Sequence, residues 1–374
     1  MAYTTIDDGS AYFQTALWSG DNATTQDITN DGNSDLQPDW VWVKCRNTGG
    51  NGFDHVVFDT SRGVDNNVDK SLSPSQSDSE GLGDNVTTTA QLGGVSAMLT
   101  DGFTVREGTL DNDARYVNES SRTYVGWQWK ANGGTRTTNT ESGNNPAGGY
   151  QANTTAGFSI VDYTGTGANG TMAHGLGAVP TCMIVKNRDQ TDSWQVYHVD
   201  LGNDKSLFLD NSDSVYTLND IWNQTTPTSS VFTIGTSHRT NADAEKYIAY
   251  CFTPIQGYSK FSSYTGNGNA NGPFVYTGFK PAWLMIKNAS DGSRDWIIIT
   301  SEVQGYNPND DFLRANTDGA EVSNDSGARI DFLSNGFKIR GNNSTINDNS
   351  DTHIYIAFAE HPFVSSKGVP VTAK

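Results

Sequence analysis

The sequence has few positive charges and no long apolar run, and each of these deficits excludes a class of protein. Its 374 residues include 24 Lys and Arg against 42 Asp and Glu, a net charge of −18. This charge opposes binding to a phosphate backbone. No segment is long and apolar enough for a membrane span, and the start MAYTTIDDGSAYFQ is unlike a signal peptide. We therefore expect no nucleic-acid partner, no membrane insertion and folding in the cytoplasm.

Metal-binding and catalytic motifs are also scarce. The cysteines are odd in number and lie in apolar segments, so we interpret them as small buried residues; they are Cys45, Cys182 and Cys251. Each histidine stands without a second ligand at metal spacing; they are His55, His174, His198, His238, His353 and His361. Nucleophile elbows, P-loops, dinucleotide-binding glycine motifs and zinc helices are absent. We predict a protein that is not an enzyme, with no catalytic, cofactor-binding or metal-binding residue and no cofactor.

Two weaker signals leave alternatives open. The segment Asp27–Asp35 places oxygen ligands at positions 1, 3, 5 and 9 of a calcium loop, but position 12 is Pro38 instead of glutamate. We favour a turn without an ion. A glycosidase pair of carboxylates is defined in space and not by spacing, so it remains an alternative.

Turn formers and aromatic residues are abundant and together favour β-structure. The chain has 39 Gly with many Asn, Thr, Ser and Asp, and its 9 Trp, 15 Tyr and 16 Phe can supply a core. Helical spacing of apolar residues never extends beyond about two turns. The composition predicts an all-β fold.

One strand signature, a proline followed six residues later by lysine, occurs three times: PDWVWVK at Pro38–Lys44, PTCMIVK at Pro180–Lys186 and PAWLMIK at Pro281–Lys287. Such continuous apolar runs are typical of strands buried on both faces. Each signature is followed by a hairpin partner, then a strand centred on Phe, then an aromatic closing strand; the closing strands begin at Tyr124, Tyr247 and Tyr355. We predict three diverged tandem copies of a sandwich or jelly-roll-like unit of roughly 100 residues.

The copies suggest domain boundaries. We assign unit 1 to 1–131, with a long insertion at Asp59–Gln91, a flexible linker to 132–156, unit 2 to 157–255, and unit 3 with a C-terminal tail to 256–374. The linker is almost free of apolar residues, whereas units 2 and 3 follow each other without a spacer. The insertion is the first candidate for a functional contact.

Several strings in the copies are specific enough to suggest a family. YTGTG and YTGNG in the opening strands, the PxWxMIK strand, IDFLSNGFKIR from Ile330 and YIAFAEHPF from Tyr355 resemble an uncharacterised β-sandwich domain family. That family is found in virion structural, tail-fibre-like proteins of marine bacteriophages. The resemblance is close over Phe158–Phe363 and looser over the first copy, and the family offers no catalytic residues to carry over.

The resemblance implies a non-enzymatic virion structural protein, assembled in the host cytoplasm, with other tail or capsid proteins as partners. We expect a tail-associated appendage or fibre subunit that takes part in host attachment. A head decoration protein is the main alternative, and a carbohydrate-binding protein or polysaccharide-degrading enzyme is another. By analogy we also expect a homo-oligomer, with a trimer as the first guess, and a host-surface glycan or receptor as a partner.

Overall fold

The regular structure of the chain is almost entirely antiparallel β-sheet. The computed structural model describes residues 3–48, 52–64, 70–81, 93–108, 114–139 and 143–370. Within these ranges the helices are short single turns beside many strands, so the predicted all-β fold is confirmed.

The strands fall into three consecutive regions. Region 1 contains β1 (Phe13–Ser19), β2 (Thr25–Ile28), β3 (Trp40–Cys45), β4 (Val56–Asp59), β5 (Gly94–Leu99), β6 (Gly102–Arg106) and β7 (Thr123–Trp129), after a 3₁₀ turn at Gly9–Ala11. Region 2 contains β8 (Thr137–Asn139), β9 (Gly148–Asn153), β10 (Phe158–Thr164), β11 (Gly170–Ala173), β12 (Cys182–Asn187), β13 (Gln195–His198), β14 (Lys205–Phe208), β15 (Tyr216–Thr217), β16 (Val231–Ile234), α1 (His238–Asn241) and β17 (Lys246–Phe252). Region 3 contains β18 (Ser259–Thr265), β19 (Phe274–Tyr276), β20 (Phe279–Asn288), β21 (Ile297–Thr300), α2 (Ser301–Gln304), β22 (Leu313–Arg314), β23 (Ile330–Leu333), β24 (Gly336–Ile339), α3 (Ser344–Asn347) and β25 (Thr352–Pro362).

Each region contributes one large sheet with a shared strand order. Sheet 1 runs β1-β7-β3-β4, sheet 2 contains β10-β17-β12-β13-β14, and sheet 3 runs β18-β25-β20-β21-β22. In every case the closing strand lies between the opening strand and the signature strand. This shared order supports the prediction of three copies, whose number and boundaries remain predictions.

The signature strands are buried on both faces, as their continuous apolar runs predict. Every residue of β3, β12 and β20 is buried. One face of each strand points to a small covering sheet, β2-β6-β5, β11-β16 or β19-β24-β23. The other face points to a core shared by all three large sheets. Sandwich-like layers therefore surround a common centre.

Aromatic rings fill this common core. The Trp40 ring of sheet 1 lies 4.3 Å from that of Tyr250 in sheet 2, nearly parallel to it. Trp129 meets Trp283 of sheet 3 at 5.6 Å, and Phe252 of sheet 2 meets Phe358 of sheet 3 at 5.9 Å. Each large sheet thus packs against both others.

The segment 132–156 differs from the predicted flexible linker. It contains β8 and β9, which pair in turn with β10 and extend sheet 2. Its glycines permit this pairing, since a Cβ on Gly148 would lie 2.1 Å from the Asp162 carbonyl oxygen. Arg136 also binds the Asp162 carboxylate at 2.7 Å. The polar, glycine-rich composition here belongs to an exposed edge of the sheet.

Candidate functional site

Each large sheet carries a buried lysine near the end of its signature strand. Lys44, Lys186 and Lys287 lie among buried apolar neighbours. Burial lowers the pKa of each from 10.5 to about 8. Backbone carbonyl groups accept hydrogen bonds from all three ammonium groups.

The same lysines join the sheets. In each case one acceptor carbonyl belongs to another region. The acceptor residue stands five positions after a leucine. That leucine pairs with the strand that forms a hairpin with the signature strand of the other region. The bonds are Lys186 Nζ to Ser77 O at 3.1 Å, Lys287 Nζ to Ser212 O at 3.0 Å and Lys44 Nζ to Asp318 O at 2.9 Å. Region 1 therefore contacts region 2, region 2 contacts region 3, and region 3 contacts region 1. We call these contacts seam 1–2, seam 2–3 and seam 3–1, and together they close a ring.

A second side chain makes a matching bond across every seam. In each seam the side chain that makes this bond belongs to the residue opposite the signature lysine in the hairpin. Trp194 Nε1 donates to Ser73 O at 2.8 Å, Trp296 Nε1 donates to Phe208 O at 2.9 Å, and His55 Nε2 lies 3.0 Å from Arg314 O. Backbone amides repeat the pattern, from Asp192 to Ser77 O, Arg294 to Ser212 O and Phe53 to Asp318 O.

Charge pairs distinguish the seams from one another. Arg188 binds Glu80 at 2.7 Å in seam 1–2, and Arg46 binds Glu321 at 2.8 Å in seam 3–1. Seam 2–3 has Ala289 and Val215 at the corresponding positions, joined through the backbone at 3.0 Å. The ring thus keeps its backbone geometry where the ion pair is replaced by apolar side chains.

Seam 1–2 also holds a buried ion pair. Asp59 and Arg62 are both fully buried, with Arg62 Nε 2.5 Å from Asp59 Oδ2. The Tyr250 hydroxyl donates to the same oxygen at 2.7 Å. Burial by itself would lower the pKa of Arg62. Neighbouring groups, among which Asp59 has the largest effect, raise the pKa of Arg62 above its usual value.

The described part of the Asp59–Gln91 insertion belongs to seam 1–2, because Ser73, Ser77 and Glu80 make the contacts above. Residues 65–69 and 82–91 of the insertion lie outside the described residues. The predicted functional contact at this insertion stays a prediction.

A partly open cavity of about 210 Å³ lies between regions 1 and 3, near the Trp40 end of β3 and away from the Lys44 contact, and we include this junction in seam 3–1. Thr15 of β1, Asp31 and Asn33 of the β2–β3 loop, and Glu302 of α2 line its polar side. Phe13 and Ala282 contribute apolar surface. The Thr15 hydroxyl oxygen is buried and has no hydrogen-bond partner within the described ranges.

Corresponding residues explain why the cavity lies in this seam. Strand register places Thr15 at the position of Ile160 in sheet 2 and Phe261 in sheet 3. Each of these three residues pairs with a residue of the closing strand, which in turn lies opposite the middle of the signature strand. Likewise Thr300 stands where sheet 1 has Asp59 and sheet 2 has His198. Of these two threonines, Thr15 lines the cavity, and its side chain is smaller than Ile160 or Phe261.

The cysteines and most histidines are buried parts of the fold. All three thiols are buried and unpaired with one another, as the sequence predicts, and burial raises the pKa of Cys182 and Cys251. Burial lowers the pKa of His198 to about 4. The remaining buried histidines are His55, His174 and His353, while His238 lies 3.3 Å from Asp192 and His361 lines the cavity.

The Asp27–Asp35 segment does not gather its carboxylates. Where the chain is described, the group of three side chains with ligand atoms within 4.8 Å of one another is Asp291, Asp348 and Asp351. Arg294 lies 2.6 Å from Asp291 and supplies a counter-charge there. Asp27 instead accepts a hydrogen bond from the Thr104 hydroxyl at 2.7 Å.

These features define an all-β protein in which three seams of matched polar contacts join the large sheets around one core. In the part of the chain described, no helix is both long and apolar enough to cross a membrane. The chain belongs to the family described as domain of unknown function DUF7483, whose profile matches residues 8–362. That single match spans all three large sheets. No curated protein and no solved structure matches the chain.

Sequence reasoning missed the seams and the cavity. The recurring lysine was visible as a landmark, but its partner carbonyls carry no side-chain signal. Alignment of the opening strands would have placed Thr15 against Ile160 and Phe261, which is the one cue to a distinct seam.

Proposed function

We propose that this protein is a non-enzymatic structural component of a bacteriophage virion, carried on the tail as an appendage or fibre subunit and active in host attachment. The ring of matched seams is the observation that supports it. Buried lysine, tryptophan and histidine groups bind backbone carbonyls between sheets. Such groups add directional bonds to apolar packing and favour one arrangement of the sheets.

The buried titratable groups also suit a scaffold better than a catalyst. A cysteine nucleophile needs a lowered pKa, whereas burial raises that of all three thiols here. Burial likewise holds His198 and His353 below their usual pKa, and His55 well below it, inside the seams and sheets.

A head decoration protein is the second candidate, and the cyclic order of the sheets favours it. Three large sheets of shared strand order follow one another around a common core. One chain therefore offers three related faces, which would match a threefold position of a shell without needing three subunits. Homo-oligomerisation, with a trimer as the first expectation, stays a separate prediction.

Antibody labelling of intact particles tests the proposal. Antibodies raised against the chain are imaged by electron microscopy on particles of the phage that encodes it, with antibodies pre-absorbed on the purified protein as the control. Label at the tail supports the appendage. Label spread over the head favours decoration, and particles without label would contradict a virion role.

A further inference from the structure

We propose that the cavity in seam 3–1 binds one ring of a neutral saccharide. The choice of a host-surface glycan as the source of that ring rests on the proposed attachment function, whereas the site itself rests on the seam geometry. At about 210 Å³ the cavity holds several water molecules. It is smaller than the roughly 300 Å³ at which sites for drug-sized ligands begin, so it suits a single small ring.

The cavity walls match a ligand with many hydroxyl groups. Asp31 contributes carboxylate oxygens that only accept hydrogen bonds, and Asn33 contributes an amide that donates and accepts. A sugar hydroxyl can donate to the first and exchange either kind of bond with the second. Phe13 and Ala282 provide an apolar wall for the C–H face of the ring.

Thr15 marks where this junction differs from the other two. The corresponding residues are Ile160 and Phe261, so a smaller side chain lines the cavity here. The Thr15 hydroxyl oxygen is buried without a hydrogen-bond partner within the described ranges and lies out of reach of a ligand in the cavity. Thr15 therefore contributes space for a ring and not a bond to it.

Charge favours a neutral ligand over an anion or a metal ion. Carboxylates of Asp31 and Glu302 line the cavity in a chain of net charge −18, which repels phosphate and acidic sugars. Neither residue belongs to the group of three ligands within 4.8 Å found among the described residues. A divalent cation normally needs several such oxygens.

Methyl-labelled NMR can test the site directly. The full chain, labelled at threonine methyl groups, is titrated with methyl glucoside, methyl galactoside, methyl mannoside and N-acetylglucosamine, and separately with calcium chloride. At least one sugar should shift the Thr15 signal. Thr15→Ile, which installs the residue of sheet 2, should weaken binding roughly tenfold or more by filling the space. Thr25→Ile, the same change at an exposed strand position, should leave the affinity unchanged.

A second variant does not depend on packing. Asp31 is exposed on its loop, so Asp31→Ala should fold normally and weaken binding about 3- to 10-fold, as loss of a hydrogen bond does. Failure of all four sugars to bind, retained affinity in Thr15→Ile and Asp31→Ala, or a Thr15 shift with calcium alone would each overturn the inference. Sugar binding by a protein absent from particles would contradict the proposed virion role alone. A tail-located protein that binds none of the sugars would contradict this inference alone.

Discussion

Replacing Arg62 by leucine should lower the free energy of unfolding by about 3–5 kcal/mol, because Asp59 would remain buried without its cation. Both side chains are fully buried in seam 1–2. The guanidinium also donates to the Val57 carbonyl at 3.1 Å and lies 3.2 Å from Glu80. The Tyr250 hydroxyl would stay as a donor to Asp59, which favours the lower end of this range.

A double variant separates the pair from its surroundings. Seam 2–3 has His198 and Leu201 where seam 1–2 has Asp59 and Arg62. Asp59→His combined with Arg62→Leu removes both charges, so its cost should fall below the sum of the two single costs by about 2–3 kcal/mol. Urea unfolding followed by tryptophan fluorescence measures all three variants.

The matched control is an arginine–aspartate pair at the surface. Arg136 and Asp162 lie 2.7 Å apart, with side chains 34% and 20% exposed. Arg136→Leu should cost about 1 kcal/mol or less. Additive costs in the double variant, or equal costs for Arg62→Leu and Arg136→Leu, would refute the assignment of Asp59 and Arg62 as a dry, mutually dependent pair.

The seams and the core support further predictions. Lys186→Met should lower the free energy of unfolding in urea by about 1–3 kcal/mol, because buried carbonyls lose a charged donor. The control Lys246→Met, at a side chain that is 60% exposed, should change stability little. Equal effects of the two variants would argue against a seam role for Lys186. Each signature lysine has a pKa of about 8 in the folded protein, below the 10.5 of the unfolded chain. Between these two pH values the unfolded chain binds more protons than the folded protein. The free energy of unfolding should therefore rise from pH 8 to 9 by about 1 kcal/mol per lysine. Lys186→Met should reduce the total rise by about 1 kcal/mol, the share of one lysine, and an unchanged slope would contradict the shift. Trp40→Ala should cost about 3–5 kcal/mol because it removes a ring packed against Tyr250 at the centre, and near-ultraviolet and far-ultraviolet circular dichroism should still report one common transition. Separate transitions for the regions would show that the sheets do not share a core.

The strands could be predicted from sequence because their signals are local. The apolar run of Pro38–Lys44 and its repeats indicated strands buried on both faces, and β3, β12 and β20 have that burial. The ring could not be predicted, because Lys186 and Ser77 lie 109 residues apart and meet through a backbone carbonyl. Composition misled at 132–156, where glycine indicated flexibility but allows β9 to lie close to β10.

The candidate site was beyond sequence reasoning for a related physical reason. A cavity forms where a packed position has a smaller side chain than its surroundings leave room for, and no sequence motif indicates such a position. Thr15 is an ordinary strand residue until register places it beside Ile160 and Phe261.

The three seams belong to one covalent chain, and this affects how substitutions can alter them. In a homotrimer of a shorter chain, any substitution would occur in all three subunits at once, so a polar residue that opens one interface would weaken every interface. Here Thr15 occurs in one seam, while the larger Ile160 and Phe261 stand at the corresponding places of the other two. A single chain can therefore specialise one junction for a ligand and leave the remaining two to hold the molecule together.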